Sequence, residues 1–285
     1  MAIKIITDST AYLTKEFIEA YDIKVVSLNV ILGGECLREL DLSNETFYKQ
    51  MDSIKEVPTS SQPTPDELFT AFEQVVADGD SVIGIFLSSE MSGTYANTHL
   101  VKEMVLEKYP EADIELVDSR SNCMQMGFVA IAAAKAAREG KTMAEVLKVA
   151  EKVIDNSRFI FTPETLDYLQ KGGRIGGAAA LLGNILQLKP ILTVSKGKTD
   201  VLTKVRTKKK AVATLVEIFL EDLENRELED IIVHHINCED EGTAIANSLA
   251  ETLGRPVGIQ SIGPVIGLHV GPGSIGLAYH TKEKN

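Results

Sequence analysis

The strongest constraint on this chain is a rhythm in its first half. Short apolar runs end in hydroxyl-rich loops, and each loop leads into a segment of helical periodicity. Residues 3–7 form such a run and end in Asp8-Ser9-Thr10. A helix over residues 14–21 and a strand over residues 25–31 are expected next. Thr64-Pro65-Asp66-Glu67 combines a capping-box Thr/Glu pair with Pro at the first helical position. The helix it opens carries Leu68, Phe69, Phe72, Val75 and Val76 at helical spacing. A strand over residues 82–87, a helix to about Glu107 and a strand over residues 114–117 follow. A helix around residues 126–138 ends at Gly140, and Thr142-x-x-Glu145 opens another. Strands separated by helices imply a mainly parallel, Rossmann-like sheet covered on both faces. Ligands of such sheets sit beyond the carboxyl ends of the strands. The loops Asp8-Ser9, residues 88–92 and Asp118-Ser119 are therefore expected to gather at one edge.

The second half changes rhythm. Residues 191–195, Gly197 and residues 201–205 read as a β-hairpin. A helix over residues 208–223, a strand over 231–235 and a helix over 242–253 come next, with closing strands over 257–262 and 275–280. Hairpin pairing mixed with helices predicts an α+β domain. The expected division is 1–156 for the parallel α/β domain and 157–285 for the mixed one, as suits a chain of 285 residues.

Composition narrows the function. The net charge of −12 argues against nucleic acid and against adhesion to an anionic membrane. Residues 178–188 form the longest apolar stretch, but Gly183, Asn184 and Gln187 interrupt it and a bilayer needs about 20 residues, so stable membrane insertion is not expected. No basic start precedes an apolar segment, and Cys36, Cys123 and Cys238 are odd in number and widely spaced. Together these features predict a cytoplasmic protein with reduced thiols.

The loop Ser88-Ser89-Glu90-Met91-Ser92-Gly93-Thr94 carries the most chemistry. It follows a strand and opens a helix, whose start offers unpaired N–H groups and positive potential to an anion. No Lys or Arg lies within it, which favours a carboxylate over a polyphosphate; Ser92 acting as a simple helix cap is the competing reading. Ser60-Ser61-Gln62-Pro63 is a second hydroxyl-rich turn and can form the other wall of a carboxylate clamp. Gly271-Pro272-Gly273-Ser274-Ile275-Gly276 matches G-x-G-x-x-G in form, but too little chain follows for a dinucleotide fold. His234 and His235 are adjacent on a strand, point to opposite faces, and do not share a metal ion. Ser92 with His269 could make a serine-dependent acyl hydrolase, although no G-x-S-x-G elbow surrounds Ser92. The basic run Lys204-Val205-Arg206-Thr207-Lys208-Lys209-Lys210 reads as a solvated face or as a docking patch for an acidic partner.

Taken in order, these pieces resemble the DegV family of bacterial fatty-acid-binding proteins, the FakB type. The resemblance runs nearly end to end. It rests on Asp8-Ser9-Thr10, Ser60-Ser61-Gln62-Pro63, Leu87-Ser88-Ser89-x-x-Ser92-Gly93-Thr94-Tyr95 and Asp118-Ser119. It continues through Leu166-x-x-Leu169-x-Lys171-Gly172-Gly173-Arg174-Ile175, Lys189-Pro190-Ile191-Leu192, Lys204-x-Arg206-Thr207 and Gly267-x-His269-x-Gly271-Pro272-Gly273. The resemblance implies a fatty acid in a tunnel between the two domains, its carboxylate held by Ser60, Ser61, Ser92, Gly93, Thr94 and His269. It leaves open whether Thr59 or Ser60 takes the family's threonine position. It implies no catalytic residue, no metal and no cofactor beyond the bound fatty acid. The implied partners are a fatty acid kinase of the FakA type, which makes an acyl-phosphate and docks on Arg174, Lys204 and Arg206, and an acyltransferase system leading to phospholipid synthesis. A regulatory ligand sensor on the same fold is a further reading. The small-residue segment 176–182 is expected to be helical and either to flank an acyl chain or to pack tightly on a sheet, and Met124 and Met126 either line an adaptable wall or fill the core.

Overall fold

The computed structural model describes residues 1–53, 58–182 and 188–283. Gly183, Asn184 and Gln187, the interruptions of the longest apolar stretch, lie outside the described residues. Three sheets organise the chain. The first has the order β2-β1-β6-β7, built from β1 (Ile3–Asp8), β2 (Lys24–Val26), β6 (Ser81–Phe86) and β7 (Ile114–Asp118). All of its pairings are parallel. Helices α1 (Lys15–Tyr21), α3 (Pro65–Val76), α4 (Thr94–Lys108), α5 (Cys123–Arg138) and α6 (Met143–Asn156) belong to this half.

The second sheet has the order β10-β9-β8-β13-β11-β12 and is mixed: β8 (Ser157–Thr162), β9 (Lys189–Ser195), β10 (Lys198–Val205), β11 (Arg226–His235), β12 (Gly258–Ser261) and β13 (Ile275–Glu283). Only β11 and β12 pair in parallel. Helices α7 (Asp167–Lys171), α8 (Lys208–Asp222), α9 (Glu239–Leu253) and α10 (Pro264–Val270) complete it.

The region read as one strand over residues 25–31 is divided. The chain leaves the parallel sheet after Val26, and β3 (Asn29–Leu32) begins a small antiparallel sheet with β4 (Glu35–Arg38) and β5 (Thr59–Ser61), in the order β4-β3-β5. Helix α2 (Asn44–Ser53) lies between β4 and β5 in sequence. Ser27 marks the break: its N–H donates to Glu67 Oε1 at 2.9 Å instead of to a neighbouring strand. This also undoes half of the expected capping box at Thr64. Thr64 Oγ1 accepts the N–H of Glu67 at 3.2 Å, but the Glu67 carboxylate bonds Ser27 and Arg38 rather than turning back to Thr64. At Thr142 both halves of the box form.

Helix α5 joins the two large sheets. It carries buried residues on nearly every side, from Cys123 through Ala136, as expected of a helix wrapped by protein. Its side chains share one core with Ile5, Ile83 and Ile85 of the first sheet and with Phe159, Phe161 and Ala278 of the second. Met124 and Met126 belong to this core. Segment 176–181 is a 3-10 helix, with Ala178 buried and Gly176, Gly177, Ala179 and Ala180 exposed. It packs against β10: a Cβ on Gly176 would stand 2.2 Å from Thr199 O. Tight packing on the sheet therefore describes this segment.

A second connection runs through the β9–β10 turn. Lys196 and Gly197 both have positive φ, 50° and 81°, which closes the hairpin in the left-handed region where glycine is cheapest. The turn lies on the Ser88 loop. Ser88 Oγ donates to Gly197 O at 2.7 Å, and Lys198 pairs with Glu90 at 2.8 Å. A side chain at Gly197 would begin 2.6 Å from Ser88 Oγ. Gly197→Ala should therefore destabilise the protein by about 1–2 kcal/mol, read from the midpoint of urea unfolding; an unchanged midpoint would contradict the close docking.

Candidate functional site

A cavity opens where these elements meet. Its apolar wall draws Leu87 from the first sheet's edge, Phe159 and Phe161 from β8, Val194 from β9, Ile236 after β11, and Val265 and Ile266 from α10. The phenylalanine rings stack with centroids 5.2 Å apart. Free space amounts to about 60 Å³, room for a few water molecules. Against this hydrocarbon stand a few polar groups: Ser60, Ser92, Asn122, Arg174, Thr199, His269 and Ser274.

Ser60 reaches the cavity through strand alternation. In β5 it lies opposite Val30, which is fully buried, whereas Thr59 lies opposite Ile31, which is exposed. Successive residues of a strand face opposite sides, so Ser60 turns inward while Thr59 and Ser61 turn away. Thr59 and Ser61 are not part of the cavity wall. Ser60 Oγ lies 2.8 Å from His269 Nε2. His269 sits in the last turn of α10. Burial first, and then the Arg174 charge, pushes its pKa down to about 4, so the ring is neutral at pH 7. Its Nδ1 is buried and has no hydrogen-bond partner. The ring fits because residue 172 is glycine: a Cβ there would stand 2.3 Å from His269 Nδ1.

Ser92 and Thr94 come from the loop that follows β6. The helix begins at Thr94, two residues later than Ser92, with Gly93 as its cap. Ser92 Oγ is 2.9 Å from Thr94 Oγ1 and accepts the Thr94 N–H at 3.2 Å. Ser92 thus makes a local cap-like bond and also lines the cavity. The two hydroxyl-bearing turns touch: a Cβ on Gly93 would lie 3.0 Å from Gln62 Oε1. Arg174 closes the rim. Its Nε donates to Met91 O at 3.1 Å and its Nη1 to Gly172 O at 2.7 Å, tying the Ser92 loop to the turn under His269.

The three loops expected at one sheet edge do meet there. Asp118 accepts the N–H and the hydroxyl of Ser89 at 3.2 and 2.6 Å. Asp8 accepts the Leu87 N–H with one oxygen and the Thr10 N–H and hydroxyl with the other. Next to it, Glu39 accepts Ser9 Oγ at 2.5 Å, Tyr12 OH at 3.0 Å and the Val265 N–H at 2.8 Å. Ser9 Oγ in turn accepts the Leu28 N–H at 3.0 Å. One buried cluster therefore positions Leu87 before the Ser92 loop, Leu28 beside β3, and the first turn of the helix that carries His269. Burial raises both acids, Asp8 to about 6 and Glu39 to about 7.

Lys204 at the end of β10 and Arg206 just beyond it are exposed and lie outside the cavity wall, unlike Arg174. Gly271 to Gly276 leads into strand β13 rather than into a helix. His234 and His235 take opposite faces of β11: His234 Nε2 accepts the Met124 N–H, and His235 Nδ1 accepts that of Cys238. Sequence reading did not find α10, β8, Met91 or Asn122. Gly263-Pro264, with Pro in the first turn of α10, was the available signal for the helix.

Glu39 gives a pH signature. A carboxyl that binds its proton more tightly folded than unfolded adds stability in full below its unfolded value, near 4.5. That stability is lost as pH rises to about 7. Relative to Glu39→Gln, wild-type stability should therefore decline between these pH values and level off above them. Urea unfolding of both proteins across this window measures it, and a pH-independent difference would remove Glu39 from the account.

The whole-chain comparisons agree with this geometry. The model of the DegV family, described as uncharacterised proteins, matches residues 2–282. A DegV domain-containing protein of Clostridium acetobutylicum is 52% identical over 285 residues, covering 100% of this chain and 99% of that one. Protein DegV of Bacillus subtilis is 34% identical over 282 residues, covering 98% and 99%. Among solved structures, a DegV family protein from Thermus thermophilus, described by its fatty acid binding, superposes with a TM-score of 0.90 at 27% identity, covering 99% of this chain and 100% of that one. The Bacillus subtilis DegV, described as a fatty acid binding protein, gives 0.88 at 33% identity with the same coverage. A stearic acid-binding protein from Eubacterium ventriosum gives 0.88 at 27% identity, covering 98% of each chain. A family model spanning residues 2–282 and a relative 52% identical over the full length lead to one assignment: this chain belongs to the DegV family.

Proposed function

We propose that the protein binds one long-chain fatty acid and presents its carboxylate to a fatty acid kinase for acyl-phosphate formation. The single observation that carries the binding is the convergence of Ser60, Ser92 and His269, from separate stretches of chain, on one largely apolar cavity. The fatty acid binding described for the Thermus and Bacillus relatives points the same way. In this reading, residues 1–156 and 157–285 are two parts that close on the ligand. Ser60, Ser92, Gly93, Thr94 and His269 hold the carboxylate, and Ser61, which turns away from the cavity, is left out of the set expected from the sequence.

The chemistry of the ligand suits these groups. Each methylene gains about 0.8 kcal/mol on leaving water, so ~15 of them offer on the order of 12 kcal/mol before ordering costs. The tail supplies affinity. The head must keep its hydrogen bonds, because an unpartnered buried carboxylate costs several kcal/mol. Neutral hydroxyls hold it without competing strongly for an incoming phosphoryl group. A chain of fatty-acid length enters by displacing side chains along the wall, for which the flexible thioether of Met91 is suited. Arg174, at the rim, and the exposed Lys204 and Arg206 are the proposed kinase contacts, placing the protein in the cytoplasm upstream of acyltransfer into phospholipid.

A serine-dependent hydrolase fits less well. His269 Nε2 faces Ser60, not Ser92, and no acid orients its Nδ1. With its pKa pushed down to about 4, the ring is a poor general base at pH 7.

Native mass spectrometry of protein purified from bacteria should show a retained acyl mass. Ser60→Ala and Ser92→Ala should each weaken binding by about 1–3 kcal/mol. Consistently empty protein that ignores added fatty acid, or release of acid from acyl esters that is abolished by Ser92→Ala, would overturn the carrier reading. Separately, Arg206→Glu should leave fatty-acid affinity unchanged and lower the rate of acyl-phosphate formation with kinase and ATP; an unaltered rate removes the docking assignment.

A further inference from the structure

Asn122 stands in the cavity wall and is 6% exposed. It holds the cap position of α5, with extended backbone, yet makes no side-chain cap bond. An asparagine there ordinarily uses its carbonyl oxygen to accept an N–H from the first turn. In this protein another residue does so: the Met124 N–H donates to His234 Nε2 across the core, at 3.2 Å. His234 is wholly buried and its pKa is pushed down to about 3 by desolvation, so it is neutral and able to accept. The histidine on β11 thus releases the asparagine from capping.

The released amide is poorly satisfied. Its Nδ2 donates to Met91 Sδ at 3.1 Å, a weak acceptor, and its Oδ1 is buried with no partner. A buried carbonyl oxygen without a donor is costly, and such atoms in folded proteins are few. A methylene chain cannot satisfy it. Neither can a carboxylate, which only accepts. A hydroxyl can do both: its proton suits Oδ1, and its oxygen is a better acceptor for Nδ2 than a thioether.

From this geometry we infer that Asn122 is a specificity-determining residue, selecting an acyl ligand that carries a hydroxyl group on its chain in addition to the carboxylate. The inference rests on the fatty-acid reading of the cavity and narrows its ligand class. Met91 is the element that yields: its side chain leaves the amide when the hydroxyl arrives. His234 is a positioning residue, acting through α5 and not through the ligand.

The test is a competition series. Palmitic acid and a positional set of its monohydroxy derivatives are titrated into the purified, delipidated full-length protein, with affinities read by displacement of a fluorescent fatty acid. In the wild type, at least one isomer should bind about 5–150-fold more tightly than palmitic acid, the range of one buried hydrogen bond. Asn122→Leu should abolish that preference, read as the ratio of the hydroxylated isomer's affinity to that of palmitic acid. Asn122→Ser, which keeps a residue able to cap the helix, should reduce the preference and serves if the leucine variant does not fold. If palmitic acid binds and no isomer exceeds it, or if the preference survives both substitutions, the inference is overturned and the carrier reading stands. If none of these acids displaces the probe, the carrier reading itself fails.

Discussion

The cavity depends on one buried carboxyl cluster. Asp8, Ser9 and Glu39 accept backbone N–H groups at three places that are far apart in sequence: Leu87 on Asp8, Leu28 on the Ser9 hydroxyl that donates to Glu39, and Val265 on Glu39. These places precede or adjoin the segments that bring Ser60, Ser92 and His269 to the cavity. Burial raises both acids, and the cost of taking them out of water is offset by six hydroxyl and backbone donors on the two carboxyls and one backbone donor on Ser9. What this arrangement gains is fixed geometry between elements that no single sheet holds together.

The site so positioned is sparing with charge. Among the described residues its polar groups are hydroxyls, a neutral imidazole and an amide, while the one cation on the cavity wall, Arg174, is exposed and bonded to two backbone carbonyls. The remainder of the wall is hydrocarbon from two sheets and one short helix, and the solved relatives described as fatty acid binding proteins share this fold along their whole length.

Much of this was legible in the sequence because the first half is locally consistent. Alternating runs and caps at Thr64 and Thr142 placed strands and helices, and parallel order then placed three loops at one edge. The small sheet was not legible. Residues 25–31 are mostly apolar, with Ser27 and Asn29 as the polar members of a strand-like run, and the break at Ser27 comes from Glu67, which lies 40 positions away. The seven-residue helix α10 is too short for a periodic signal, so His269 was found as a motif without its support. Asn122 was missed for a similar reason. Next to an apolar helix it reads as an ordinary cap, and only the distant His234 makes it otherwise. On β5, three adjacent hydroxyl residues could not be ranked until pairing with Val30 and Ile31 assigned their faces.

That ambiguity has a consequence of its own. Strand β5 is only three residues long and abuts a chain segment of different character, the sort of place where an insertion or deletion shifts pairing by one position. In most strands such a slip would replace the inward side chain by one of another chemical kind. Here Thr59, Ser60 and Ser61 form an unbroken trio, so any frame of the strand still turns a hydroxyl toward the cavity. The redundancy that blurs the assignment makes this wall tolerant of length change over evolutionary time.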